Sequence, residues 1–110
     1  MPEGDTVFRA ARMLNAALAG DTVTRFDLRV PQLATADLTG EQVHGVLPRG
    51  KHLLTRIGRW TLHSHLKMEG EWHVYRPGER WRAPAFRARA IVGTTDAEAV
   101  GFDLAEIALV

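Results

Sequence analysis

The apolar residues of this chain change their spacing once, at Gly20, and that change limits the folds open to it. Before it, Val7, Ala10, Ala11, Leu14, Ala17 and Leu18 recur at three- and four-residue intervals. That places them on one stripe of a helix running from about Thr6 to Leu18. Asp5 stands where an N-cap is expected, and Gly20 where a left-handed residue ends a helix. After Gly20 no comparable stripe returns. Phe26, Leu28 and Val30 alternate with Arg25, Asp27 and Arg29, the period of a half-buried strand, and Pro31 ends it. One helix followed by seven or eight short strands predicts a mostly β domain, a sandwich or a flattened barrel. For 110 residues, one domain is expected.

Turn residues divide the rest. Thr39 to Gln42 has the spacing of a capping box, but Gln42 to Leu47 alternates and is read as strand. Pro48-Arg49-Gly50 is expected to turn the chain. Lys51 to Ile57 and Trp60 to His65 form a hairpin about Gly58-Arg59. Leu66 to Gly70 reads as a loop, Glu71 to Tyr75 as a strand, and Pro77 to Pro84 as a long arginine-bearing loop. Phe86 to Val92 and Ala97 to Phe102 make a further hairpin. Ile107 to Val110 is apolar and ends without a polar tail, as expected of a chain cut at a domain boundary.

The net charge of +1 hides an uneven distribution. Gln42 to Met68 contains no Asp or Glu, yet holds Arg49, Lys51, Arg56, Arg59, Lys67 and the histidines 44, 52, 63 and 65. A second basic run, Arg76, Arg80, Arg82, Arg87 and Arg89, is opposed only by Glu79. Beyond Ala90 every charge is acidic: Asp96, Glu98, Asp103 and Glu106. This asymmetry points to one positive surface for a polyanion; the alternative is a solvated mixed surface. The absence of cysteine excludes disulfides and a cysteinyl metal site. No apolar run approaches the roughly 20 residues that span a bilayer, and Glu3 and Asp5 interrupt any signal-peptide core. A cytoplasmic protein without a membrane partner is expected.

Three clusters carry candidate chemistry. Once Met1 is removed, Pro2 has a free secondary amine, beside the carboxylate of Glu3. Such an amine attacking a sugar or carbonyl carbon gives an iminium, an electron sink that promotes elimination. Glu3 then serves as general acid if partial burial raises its pKa. The plainer alternative is that Pro2 only permits Met1 removal. If Met1 stays, the Pro2 nitrogen is an amide and inert. In Arg49-Gly50-Lys51-His52, the glycine allows close backbone approach and Lys51 is a phosphate-seeking charge or a second, catalytic amine near the site, or simply a surface lysine. In His63-Ser64-His65-Leu66-Lys67-Met68 the two histidines face one side of a strand. With no cysteine and no third ligand nearby, phosphate contact is favoured over metal. Met68 is either core filler or a wedge inserted into a base stack.

Taken together, Pro2-Glu3-Gly4, Arg49-Gly50-Lys51-His52-Leu53-Leu54 and His65-Leu66-Lys67-Met68-Glu69-Gly70 resemble the N-terminal domain of the formamidopyrimidine-DNA glycosylase / endonuclease VIII family of base-excision repair enzymes. The resemblance covers essentially the whole chain, 1–110, and implies a two-sheet β-sandwich with the N-terminal helix packed on it. It implies a bifunctional glycosylase/AP lyase acting on damaged double-stranded DNA. Pro2 would be the Schiff-base nucleophile and Glu3 the general acid. Lys51 and His65 would hold phosphates near the lesion, with Arg49 and Lys67 contributing, and Met68 would fill the gap left by the extruded base. A monomer is expected. No cofactor is expected in this chain, since the family's zinc, where there is one, sits in a C-terminal finger.

The sequence also departs from the family. Asp5-Thr6 replaces the usual Pro-Glu, so a second carboxylate is lost or shifted to Asp5. Asp103 to Ile107 supplies neither the Arg nor the Phe that usually joins the filler methionine. Pro-Glu-Gly is nearer to endonuclease VIII, which favours oxidised pyrimidines. The helix–two-turn–helix and finger regions are absent from these 110 residues, so weak DNA binding and little glycosylase activity are expected of this chain alone. Two other readings remain: an N-terminal-proline tautomerase, which needs more helices than the periodicity offers, and a non-catalytic nucleic-acid-binding β-module.

Overall fold

The structure is a computed structural model and describes residues 3–67 and 69–110, with side chains from Thr6 onward. Helix α1 (Glu3–Leu18) buries Val7, Ala11, Leu14 and Leu18, the stripe expected from their spacing. It begins three residues before the expected start, so Asp5 lies inside the helix and is not its N-cap. A proline just ahead of the first turn is no obstacle, because the N–H it lacks has no intrahelical partner there. Gly20 ends the helix with φ +89° and donates its N–H to Val43 O at 2.7 Å.

Eight strands follow: β1 (Arg25–Leu28), β2 (Val43–Arg49), β3 (His52–Ile57), β4 (Trp60–His65), β5 (Glu71–Tyr75), β6 (Ala88–Gly93), β7 (Glu98–Phe102) and β8 (Glu106–Leu109). They form two antiparallel sheets of four strands, a first sheet ordered β1-β6-β7-β5 and a second ordered β2-β3-β4-β8. The expected sandwich with an N-terminal helix is therefore the fold. Val43, Val46, Leu53, Ile57 and Leu62 of the second sheet share one core with Phe26, Leu28, Ala90, Val92 and Ala99 of the first. The helix closes one side of this core against β2, β3 and β5. Asn15 Oδ1 accepts the Val46 N–H at 2.9 Å and so ties the helix to edge strand β2.

Several boundaries differ from the periodicity. Pro48 and Arg49 belong to β2 and not to a turn; an edge strand tolerates a residue without an N–H. The turn is Gly50-Lys51, where Gly50 takes the positive φ of +60° that a two-residue hairpin asks of its first residue. Ala85–Arg87 is a 3₁₀ turn, so β6 starts at Ala88. Pro31–Leu33 is another, and Val30 lies past the end of β1. The apolar run after Glu106 is partly shielded, with Val110 left exposed. It forms β8 on the edge of the second sheet, with Ile107 and Leu109 packed against the core.

The first sheet is covered on both faces. Tyr75, Ala88, Ile91, Val100 and Phe102 make a smaller cluster on its outer side, and Trp81 and Ala83 of the long loop after β5 pack onto it. That loop is held by polar contacts. Trp81 Nε1 donates to Glu98 Oε1 at 2.8 Å, Arg25 Nη1 donates to Glu98 Oε2 at 2.9 Å, and Tyr75 Oη accepts the Arg82 N–H at 3.1 Å. The Arg25 and Arg29 guanidiniums lie 5.9 and 5.8 Å from the Trp81 ring. Arg87 pairs with Asp103 through Nε at 2.7 Å and through Nη2. Two of the four acidic residues beyond Ala90 are thus drawn into ion pairs with arginine. Glu98 and Asp103 neutralise arginines from distant parts of the chain. Among the described residues, no helix is long and apolar enough to cross a membrane.

Candidate nucleic-acid interface

Strand register assembles the site. Partners directly opposite in an antiparallel pair share a face, so Arg49↔His52, His52↔His65 and His65↔Glu106 set these four residues in one row across the second sheet. The next row holds Leu47, Leu54, His63 and Ala108. Both rows lie on the outer face, because the alternate residues Leu53, Thr55, Leu62 and Ser64 are buried in the sandwich. Lys51 occupies the exposed turn beside the first row, and Lys67 the loop that follows β4. Arg49 and Lys51 on one side, and His65 and Lys67 fourteen residues further along, therefore share one end of the second sheet. Pro2, Met68 and the side chain of Glu3 lie outside the described residues.

The loop from Leu66 to Gly70 is set by its backbone. Gly70 donates its N–H to Leu66 O at 2.9 Å, and Lys67 adopts a left-handed φ of 53°. A Cβ on Gly70 would lie 2.5 Å from the Leu66 carbonyl oxygen and 2.8 Å from its Cα, so only glycine fits here. The loop is joined to the helix. Thr6, Arg9 and Met13 of α1 line one cavity with Leu66, Glu71 and Trp72. The first turns of α1 thus run alongside the segment that carries Lys67.

The histidines are closer than their sequence spacing suggested. The His52 ring centroid is 4.5 Å from that of His63 and 4.3 Å from that of His65. No third ligand was expected near His63 and His65, yet His52 supplies a third imidazole. Even so, no set of three His, Cys, Asp or Glu side chains among the described residues is arranged to hold a metal ion. His52 Nδ1, His63 Nε2 and His65 Nε2 are enclosed and have no hydrogen-bond partner. The His63 pKa is held below the ordinary 6.5, first by burial and then by His52; Glu106 pulls upward and His65 adds to the lowering. Lys67 Nζ is 3.8 Å from Glu106 Oε1, both side chains more than half exposed, a loose contact worth little. Arg49, Lys51 and Lys67 can meet a polyanion, and the imidazoles can donate to it.

Over residues 1–103 the sequence matches the family described as the formamidopyrimidine-DNA glycosylase N-terminal domain. The chain belongs to this family. Among curated relatives it is similar to "Probable endonuclease 8 2" of Streptomyces coelicolor, 59% identical over 106 residues, covering 94% of this chain and 38% of the relative. It is 54% identical to the "DNA-(apurinic or apyrimidinic site) lyase Nei2" of Mycolicibacterium smegmatis, covering 94% of this chain and 40% of that one. The chain thus spans about two fifths of the length of these relatives. Family members of known structure share the fold. One is the Lactococcus lactis Fpg in a complex with an abasic site containing DNA, with a TM-score of 0.77, 24% identity, and coverage of 100% of this chain and 42% of that one. A second complex, of wild-type Lactococcus lactis Fpg with a DNA containing N7-benzyl-Fapy-dG, gives a TM-score of 0.78 at 23% identity over 96% of this chain and 42% of that one.

His52 is the site residue to which sequence reasoning gave no role of its own. A signal was present: counting outward from the Gly58-Arg59 turn pairs position 52 with position 65. Glu106 was read only as part of an acidic tail, and nothing local to it predicts its place beside His65.

Proposed function

We propose that this chain is the catalytic N-terminal domain of a base-excision repair DNA glycosylase with AP lyase activity, acting as a monomer on damaged duplex DNA, with oxidised pyrimidines the favoured substrates. The observation that carries the reading is the convergence of Arg49, Lys51, His65 and Lys67 at one end of the second sheet, alongside the first turns of α1. The names of the endonuclease 8 and AP lyase relatives agree with it. Arg49, Lys51, His65 and Lys67 hold backbone phosphates, and Met68 fills the space of the extruded base. The Pro2 nitrogen forms a bond to C1′ of the damaged nucleotide. The bond from C1′ to the base breaks, and the base leaves with the electron pair and takes the proton released from the Pro2 nitrogen. Glu3 protonates the sugar oxygen as its bond to C1′ breaks, which opens the ring and leaves Pro2 as an iminium. The Glu3 carboxylate then takes a C2′ proton, and the freed electron pair expels the 3′ phosphate and nicks the strand.

Borohydride tests this. Intact mass first establishes that Met1 has been removed. Reduction in the presence of a duplex with one abasic site should then leave a covalent protein–DNA adduct at Pro2, weak for these 110 residues alone and stronger when they are joined to the remainder of a full-length relative. Pro2→Gly should lower its yield sharply. An adduct that never forms in either setting, with Met1 gone, contradicts the reading.

A further inference from the structure

Among the charged and aromatic groups on the outer surfaces of the two sheets, the histidine cluster stands apart. Glu98, Arg25, Arg87, Asp103 and the Trp81 N–H are all paired. His52, His63 and His65 each keep an enclosed ring nitrogen without a partner, and an unmet buried donor or acceptor costs stability. The three rings line a cleft of about 510 Å³. Glu106, Ile107 and Ala108 of β8 bound it on one side, and Val30, Pro31 and Gln32, none of them charged, on another. The charged groups around the rings are Arg49 on β2, Lys51 in the turn, Glu106 on β8 and Lys67 after β4. Glu106 is the one carboxylate lining the cleft; the imidazoles offer ring nitrogens that can donate to an anion, with Arg49 opposite His52 and Lys67 beside Glu106 at its edge.

Burial and His52 push His63 toward its neutral form, against the weaker pull of Glu106. An anion in the cleft reverses this, because it favours imidazolium and turns ring nitrogens into donors. We propose that His52, His63 and His65 form one phosphodiester seat that takes up a proton when it is occupied, so that His52 and His63 act with His65 in holding a backbone phosphate. This rests on the DNA reading above and adds a pH dependence to it. In the free chain burial and the neighbouring rings hold the His63 pKa below its ordinary value, and an anion seated against the rings opposes that lowering. Binding then draws in a proton, and affinity rises as pH falls.

The test measures binding of duplex DNA with one abasic site by this chain at fixed salt, from pH 8 to pH 6. Affinity should rise about 10-fold per pH unit at the steepest point if one proton is taken up. His52→Gln and His63→Gln should each flatten that slope, with the loss of affinity larger at pH 6 than at pH 8. In the wild-type chain, NMR titration of the histidines should show DNA raising the pKa of 52, 63 and 65, with His44 and His73 as internal controls. Inorganic phosphate is the second arm, and it should move the same three resonances and compete with DNA at pH 6. DNA binding that is tight but independent of pH, with the three imidazoles unmoved, overturns the proton-coupled seat and leaves the DNA reading standing. Phosphate moving the three imidazoles while DNA binds neither this chain nor this chain joined to the remainder of a full-length relative contradicts the DNA reading and leaves only an anion site.

Discussion

The outer face of the first sheet and the outer face of the second carry similar kinds of residue in opposite states. On the first, Glu98 is buried and accepts from both Trp81 and Arg25, Asp103 holds Arg87, and a long loop lies across the strands. On the second, three imidazoles meet with unpartnered nitrogens, and Arg49, Lys51 and Lys67 surround them with positive charge opposed by Glu106. Buried polar groups that satisfy one another strengthen a fold. Polar groups left unsatisfied at the surface of a cleft cost stability and are poised for a guest. Basic composition alone does not separate the two faces; pairing does.

The largest effect expected from breaking the contrast is on stability, at Glu98. Glu98→Ala removes the acceptor of two hydrogen bonds, one charge-assisted, and should cost about 3 kcal/mol in urea unfolding while leaving the DNA affinity of the folded protein unchanged. Glu98→Gln, which keeps an acceptor for Trp81, should cost clearly less. The converse holds at the second sheet. Arg49→Ala or Lys51→Ala should weaken DNA binding about 10-fold and lower the salt slope of log K by about 1, with stability changed by less than about 0.5 kcal/mol. Trp81→Phe removes a single hydrogen bond from the first face and should cost about 1 kcal/mol.

The smallest effect is the response of the free protein to pH. The His63 pKa is lower in the folded chain than the ordinary 6.5 of the unfolded one, so below that value the unfolded state binds more protons. Stability is then fully present above about pH 6.5 and declines gently as pH falls through and below it. Thermal melts of the wild type and His63→Gln between pH 8 and pH 5 should show a decline that is shallower in the variant. Saturating DNA should reverse the trend.

Much of this fold could be read from spacing. The helix stripe, the hairpin about Gly58-Arg59 and the alternation in β1 to β4 are local patterns, and the structure keeps them. What escaped depends on partners remote in the chain. Arg25 and Glu98 are 73 residues apart, so counting charges along the sequence places Glu98 among the acidic residues beyond Ala90 without showing the arginine that neutralises it. The loop from Pro77 to Pro84 has the composition of a solvated connection, and only the exposed aliphatic side of the first sheet explains why Trp81 folds back onto it. Glu106 reaches His65 because β8 adds to the sheet edge, a pairing that the short segment Glu106–Leu109 does not announce. Within the site, Arg49, Lys51, His65 and Lys67 were legible as motif residues, and their convergence follows from two tight turns. His52 was legible as a letter but not as a partner.

The most direct test of the central claim is a footprint of duplex DNA with one abasic site on this chain by backbone and histidine NMR. The account predicts that the changes concentrate at 49–52, at 63–67 and in the first turns of α1, with the segment from Arg76 to Arg89 and the Glu98–Trp81 pair undisturbed. Changes centred on that arginine-bearing segment, with the three histidines silent, would contradict it.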